Sequence, residues 1–445
     1  MSTTVDPVNA SDRRLGRSVT RIHQAERVIP ETARPSLESL IVAGAAMDFV
    51  SRVHGFSAAL SPAAIEMFAN QAGLGRQALH NVVLPALKAA NVADYTLNGE
   101  GLVSGVQEYL GVTGNLIEQS YRVLLELRPS QAEFVVLHSV ELASYAPLTE
   151  HQHLDQLVRR GFSEGDATTG YKLTLAAGLN KRIKSADLNE YVVYNPYVWE
   201  TGQVPIAGFL RSLPPAERDA LIGICEQASA SPGLALPSVT GTSPQMFAAA
   251  RKVGLVQAAT VKSTASVGSQ TYVFSPALES DDDKLVTTEA LNQRKLFVAH
   301  MLFGHEKAER GGGRIMDPVV LVRALLNRGT VGPASNIRTD YHLLEAHGIV
   351  KVNETAGGRA YLELVKEEIV QGGLGWLQKS SGTPLAIEPD IKLLQSPGTF
   401  SNPEQERANP ADDAAANELA EAAVLRLREE VRSANRQDKP TNLRR

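Results

Sequence analysis

"GPASNIRTDYHLLEAHGIVKV", residues 332–352, decides how this chain is read. It opens on Gly-Pro, passes through a polar patch and becomes amphipathic. It stops at Gly348, because glycine takes a left-handed backbone at little cost. The chain then turns strand-like at Ile349-Val350. "NETAGG" (353–358) has turn chemistry, and "RAYLELV" (359–365) alternates like a returning strand. The segment therefore predicts a helix, a stop and a β-hairpin.

The same order occurs twice upstream. "HNVVLPALKAANVADYTL" (80–97) stops at Asn91, continues through Val92-Ala93 and turns at "LNGEG" (97–101). "PQMFAAARKVGLVQAATVKS" (244–263) stops at Gly254, continues through Leu255-Val256, turns at "STASVGS" (263–269) and returns as "QTYVFSPAL". Helical patterns precede each copy, at 37–53 and 61–71, at 214–229, and at 288–305 and 317–327. Ser61-Pro62 and Asp317-Pro318 are cap-and-first-turn pairs. The middle copy departs most. Its "ASASPGLALPSVTG" (228–241) is loop-rich, so its second helix is expected to be short or absent.

Two helices followed by a third helix and a hairpin resemble the winged helix-turn-helix superfamily. The resemblance covers roughly 37–110, 205–278 and 286–366, about half of the chain, and it is one of pattern rather than of a tight motif. It implies a mainly α fold with short β-hairpins: tandem winged-helix modules at 37–110, 205–278 and 286–380. It also implies that the third helix of a module enters the DNA major groove while the wing touches phosphate. In the last copy the residues so placed are Ser335, Asn336, Arg338, Thr339 and His342, with Lys351, Asn353 and Arg359 on the wing. Asn and Arg pair with adenine and guanine edges, and Ser and Thr suit phosphate. The alternative is an ordinary solvated helix face. In the middle copy they are Ser243, Gln245, Arg251 and Lys252, with Lys262, Ser263, Thr264 and Ser266 on the wing. The first copy has Arg76, Gln77, His80, Asn81 and Lys88, but Glu100 at its wing tip would be repelled by phosphate. A packing or dimer role is expected there.

Residues 112–200 read as four helices, with a break at Pro129 and a cap at Gly178. "NKRIKSADLNEYVVYNPYVW" follows as a possible degenerate wing, so the region is a helical spacer or a fourth module. Residues 1–35 are polar, with six arginines from Arg13 to Arg34, and read as a flexible basic arm. Residues 381–410 have a linker composition rich in proline and polar residues. A last helix is expected at 411–434, with a narrow stripe of Leu419, Ala422, Ala423, Leu427 and Val431 that wants a partner helix or a second chain. A solvated, half-formed helix is the alternative.

The chain has 445 residues, 43% hydrophobic and 21% charged, which suits several buried cores. A net charge of −5 rules out a uniformly basic nucleic-acid binder and leaves only local patches for contact. The single cysteine, Cys225, cannot form an internal disulfide, reads as a small buried hydrophobe and favours a cytoplasmic location. No secretory signal and no membrane-spanning run is seen.

Chemistry other than DNA contact finds few candidates. Glu150, His151, His153 and Asp155 in "TEHQHLDQ" are metal-liganding types, but a helix start capped by Thr149 explains the segment. The basic clusters Lys181-Arg182-Lys184 and Lys307, Arg310, Arg314 could clamp phosphate. The triple glycine at 311–313 lacks the Gly-Lys-Ser/Thr of a phosphate loop. No hydrolase, zincin, dinucleotide or kinase signature occurs, so neither an enzyme nor a cofactor is expected. The sequence therefore points to a duplex DNA-binding protein in transcription control or plasmid or chromosome maintenance. The alternative is an interaction or dimerisation scaffold of winged helices, such as an accessory subunit of a chromosome-organising complex.

Overall fold

The computed structural model describes residues 10–26, 29–56, 60–99, 101–109, 115–145, 147–185, 189–195, 214–236, 239, 243–252, 254–263, 269–275, 288–309, 315–380, 397–407 and 425. The fold is mainly helical, with small antiparallel sheets.

Helices leading into a β-hairpin occur four times. The first unit has α2 (Glu38–Val53) and α3 (Pro62–Gln71). A third helix follows, running from α4 (Arg76–Ala78) through a π turn (Leu79–Val83) into α5 (Leu84–Ala89), and then β1 (Ala93–Leu97) and β2 (Val103–Glu108). The second unit has α7 (Gln131–Tyr145), β3 (Leu148–Thr149), α8 (Glu150–Arg159), α9 (Glu164–Ala176), β4 (Lys181–Ser185) and β5 (Glu190–Tyr194). The third has α10 (Pro215–Ala230), β6 (Leu234–Ala235), α11 (Pro244–Lys252), β7 (Gln257–Ser263) and β8 (Ser269–Phe274). The fourth has α13 (Pro318–Arg328), β9 (Thr330–Ala334), α14 (Ser335–Asp340), α15 (His342–Ala346), β10 (Val350–Thr355) and β11 (Arg359–Leu364).

In the last three units the short strand after the first helix pairs antiparallel with the second hairpin strand. The orders are β3-β5-β4, β6-β8-β7 and β9-β11-β10. The helix before each hairpin ends where the backbone turns left-handed, at Asn91, Gly178, Gly254 and Gly348. Residues 131–194, within the 112–200 region expected as a spacer or a degenerate copy, thus carry as full a set of elements as the fourth unit. Their first strand is only two residues long, too short to alternate visibly.

Three expectations need correction. The 1–35 arm is not free along its length. Helix α1 (Ala10–Gln24) buries Leu15, Val19 and Ile22 against Leu124 of α6 (Asn115–Glu126), Leu40 and Ala43 of α2, and Val136 and Val140 of α7. That spacing of four and three is helical, and arginine content masked it. The 381–410 linker holds order at 397–407, where β12 (Pro397–Ser401) extends the third unit's sheet beside β7 and α17 (Pro403–Arg407) follows. Ladder hydrogen bonds are backbone groups, so a polar, proline-bearing segment can make them on an edge. The amphipathic helix expected ahead of the Gly348 stop is split at Tyr341, whose buried ring lies 5.1 Å from the His300 ring. Residues 381–396 and, apart from Leu425, the expected helix 411–434 lie outside the described residues. Leu425 packs on Ile183, Val192 and Tyr194.

Helix α12 (Thr288–Glu309) is the common core of the later units. Every residue from Ala290 to Phe303 is buried, as befits a helix covered on all sides rather than on one stripe. The third unit's sheet packs on it through Ala259, Val261, Tyr272 and Phe274. The fourth unit adds Ile337, Leu344, Ala360 and Leu362. Helix α16 (Glu367–Ser380) closes the core with Trp376, 5.7 Å from Phe274 between ring centroids.

Buried polar groups tie the units together. The Oε1 atom of Glu133 accepts the backbone N–H groups of Ser39 (2.7 Å) and Leu40 (3.3 Å) at the start of α2. Its Oε2 atom accepts from Ser130 N and Oγ before α7. These are helix-start donors with no intrahelical partner. Lys366 donates to Ser51 O (2.5 Å), Gln293 Oε1 (2.9 Å) and His347 O (3.3 Å). Arg52 grips Asp48 with two hydrogen bonds (2.9 and 3.0 Å) and donates to Ala346 O (2.6 Å). Asp48 also lies 3.6 Å from His23, which faces Glu26, itself 2.7 Å from Arg34.

Gly348 shows how close the first and fourth units come. A Cβ there would sit 2.1 Å from the Arg52 carbonyl oxygen, and φ is +65°. Gly348→Ala is expected to cost about 3 kcal/mol or more, since backbone must move and the left-handed conformation adds strain. A melting temperature unchanged from the parent would refute this contact.

Candidate nucleic-acid interface

In the fourth unit, α14 and α15 present Ser335, Arg338, Thr339 and His342 outward, while Asn336 is half-buried. Ile337 and Leu343 face the core, as their spacing predicts. Arg338 reaches across to the hairpin, where its Nε lies 3.2 Å from Glu354 Oε1, with both side chains about half exposed. Thr339 donates its hydroxyl to Asp340 (2.9 Å) and lies 3.3 Å from Asn336 O. His342 lies 3.6 Å from Glu345, whose Oε1 accepts the Val352 N–H (2.8 Å). On the hairpin, Asn353 donates to Glu363 (2.5 Å). Arg359 is exposed and Lys351 half-buried, neither in an ion pair among the described residues.

This surface is therefore mixed in charge. Arg338, Lys351 and Arg359 stand among Asp340, Glu345, Glu354 and Glu363. Its turn, Ala356-Gly357-Gly358, is exposed and has no bulky side chain. A Cβ on Gly358 would come within 3.9 Å of Arg338 Nη1, so the turn and the helix end share one edge.

The third unit places its candidates less uniformly. Ser243 and Gln245 are exposed at the start of α11, with the Ser243 hydroxyl accepting the Met246 N–H (3.1 Å). Lys262 is exposed on β7, and Lys252 is half-buried. Arg251 does not join them. It is 8% exposed and lies 3.4 Å from Glu406 of α17, which takes it out of any groove-facing surface. The period of α11 puts it near the polar face, but a partner 155 positions away covers it. The Ser263 side chain and residues Thr264 and Ser266 lie outside the described residues.

The first unit pairs its candidate cations internally, Arg76 with Glu66 (3.2 Å) and Lys88 with Asp94 (2.8 Å). Gln77 and Asn81 are exposed and His80 is half-buried. Beside these polar groups its third helix exposes a short apolar stripe, Val82 at 43% exposure with Pro85 and Ala89. Glu100 is not among the described residues.

In the second unit, Lys181, Arg182 and Lys184 are exposed on β4, with Arg182 paired to Glu150 (3.1 Å) and stacked on Tyr191 (4.4 Å). The liganding types nearby do not converge. His153 is fully buried on Ser139 (2.8 Å), His151 is exposed and Asp155 pairs with Arg159 (2.9 Å). Thr149 caps α8 with Gln152 in a reciprocal box. Of the other basic cluster, Arg310 and Arg314 lie outside the described residues. The Cys225 thiol donates to Leu255 O (3.4 Å), and burial pushes it up to about 11. It is a packed thiol, not an activated nucleophile.

Among the described residues no helix is long and apolar enough to cross a membrane. No known protein family, curated protein or solved structure matches the chain.

Proposed function

We propose that the chain is a tandem array of four winged-helix modules that binds duplex DNA, with residues 318–364 as the principal reader. The observation that carries this reading is the shared strand order. In three units the strand after the first helix lies beside the second hairpin strand, with two helical segments or a loop and a helix before the hairpin. That order supports the winged helix-turn-helix reading.

In this reading the exposed outer face of α14 and α15, the split helical segment ahead of the hairpin, enters the major groove. Asn336 and Arg338 meet base edges, Ser335 and Thr339 meet phosphate, and Arg359 with Lys351 holds the backbone. The Arg338–Glu354 pair does not block this. Exposed pairs contribute about 0–1 kcal/mol, whereas a bidentate Arg–guanine contact discriminates by roughly 1–3 kcal/mol. The Ala-Gly-Gly turn lets the hairpin approach the phosphates closely. Lys262 of the third unit adds a second backbone contact, and tandem modules raise the effective concentration of each other.

Anisotropy of the full chain on a labelled random duplex, across a salt series, tests the reading. Affinity that falls steeply with salt counts phosphate contacts, and selection from the bound pool yields a preferred site. Arg338→Ala should then weaken the selected site by roughly 1–3 kcal/mol and relax one base position. Equal affinity of both proteins for selected and scrambled sites refutes base contact at Arg338.

A second reading, protein docking, is favoured in the first unit by the exposed apolar stripe of Val82, Pro85 and Ala89 and by the internal pairing of Arg76 and Lys88. That unit would then hold a protein partner or a second copy while the fourth unit reads DNA. The absence of any salt-dependent duplex binding by folded protein would extend docking to the whole chain.

A further inference from the structure

The third unit carries a segment from far down the chain. Strand β12 runs antiparallel to β7, the outer strand of the β6-β8-β7 sheet, with Thr399 opposite Lys262 and Ser401 opposite Thr260. Covering an open sheet edge keeps other chains from pairing with it, and a strand alone achieves that. This segment adds a charged turn. The Gln405 N–H donates to Asn402 Oδ1 (2.9 Å) and the Asn402 N–H to Gln405 Oε1 (3.2 Å). That reciprocal cap fixes the first turn of α17, and the Glu406 N–H closes it on Asn402 O (3.0 Å). The turn sets the Glu406 carboxylate 3.4 Å from the Arg251 guanidinium, with both side chains 10% exposed.

Arg251 belongs to the last turn of α11, the helix that leads into the hairpin, and Lys262 stands on the hairpin's first strand. One segment thus covers the edge of that strand and the cation at the end of the preceding helix. A carboxylate and a phosphate oxygen make the same charge-assisted contact to a guanidinium. The two therefore compete for one place.

We propose that residues 397–407 are an autoinhibitory strap on the third unit: Glu406 holds, at Arg251, the position of a backbone phosphate of duplex DNA, and release of the strap adds that contact. This rests on the DNA-binding reading of the winged-helix units. With the strap seated, Arg251 is buried, and the third unit presents Lys262, Ser243 and Gln245. Release is a local event. It opens an edge ladder of four residue pairs, interrupted by a register shift between Pro397 and Thr399, and withdraws the half-buried Phe400 ring from the core around α12. Local openings of this kind cost less than global unfolding.

Anisotropy on a labelled random duplex, across a salt series, compares the full chain with its Glu406→Gln and Phe400→Ala variants. The first removes the competing charge. The second removes the ring anchor and leaves the net charge as it is. Each should bind about threefold or more tighter at low salt, with a salt slope steeper by about one. Arg251→Gln, added to either variant, should abolish the gain. A gain that survives Arg251→Gln is unspecific electrostatics and overturns the strap, as does no gain in either variant. Hydrogen exchange reads the parent protein directly. Saturating duplex should speed the exchange of amides in 397–407, and unchanged protection there overturns release. Parent binding without a gain in the variants removes the strap and leaves the DNA-binding reading. Binding by the released variants alone keeps the strap and removes residues 318–364 as the principal reader. No binding by any of these proteins removes both.

Discussion

Arg52→Met is expected to lower the stability of the chain by about 3–5 kcal/mol, the usual cost of leaving one member of a buried ion pair behind. Arg52 and Asp48 are 6% and 9% exposed and make two parallel hydrogen bonds. The same guanidinium holds the Ala346 carbonyl of the fourth unit. Burial pushes the Asp48 carboxyl up, but Arg52 and then His23 pull it well below the usual carboxylate range. Without Arg52 that charge keeps only His23. The double variant Asp48→Leu/Arg52→Met should recover much of the loss, because no uncompensated charge remains. Urea midpoints of the three proteins decide the matter. If the double variant is no more stable than Arg52→Met, the cost lies in lost packing and the Ala346 contact rather than in the stranded carboxylate.

The second large effect is acid sensitivity. His153 is fully buried, and burial first, with Arg160 second, pushes it down to about 3. His300 is 2% exposed, and burial pushes it down to about 4 against a small opposing pull from Asp340. Both are neutral when folded and titrate near 6.5 when unfolded. The unfolded chain therefore binds more protons below that value. The stability these rings contribute is complete above about 6.5 and is lost as pH falls toward their folded values. Together they should cost about 3–4 kcal/mol between pH 7 and pH 5. His23 acts in the other direction. Its contribution is complete below about 6.5 and is lost as pH rises through about 9. Stability should therefore peak near neutrality, and His300→Phe should flatten the acid limb. An acid limb of the same slope in that variant would remove His300 from this account.

Much of the fold was legible because helices announce their ends. Ser61-Pro62 and Asp317-Pro318 start helices where the sequence places them, with Ser61 and Asp317 each accepting a first-turn N–H. Asn91, Gly254 and Gly348 end them with a left-handed residue. Pairing was not legible. Strands of two residues, such as Leu148–Thr149 and Leu234–Ala235, show no alternation, yet they set the sheet order. The interface candidates of the fourth unit were found on one stretch and remain largely on its surface. Arg251 was misplaced because a helical wheel says which side a residue faces, not what a distant segment lays over it. A cleft lined by Gln24, Arg52, Leu296 and Phe400 was invisible for the same reason, since these residues come from four separate stretches.

The buried helix α12 has a consequence for the order in which the protein can be made. The β7–β8 hairpin, ending at Phe274, leaves the ribosome before the helix that begins at Thr288, and β12 follows more than a hundred residues later. Tyr272 and Phe274 therefore emerge before α12 and, for Phe274, before Trp376 of α16, which complete the core around them. During that interval the nascent chain exposes an unfinished sheet, the state most open to chaperone capture and to association with neighbouring chains.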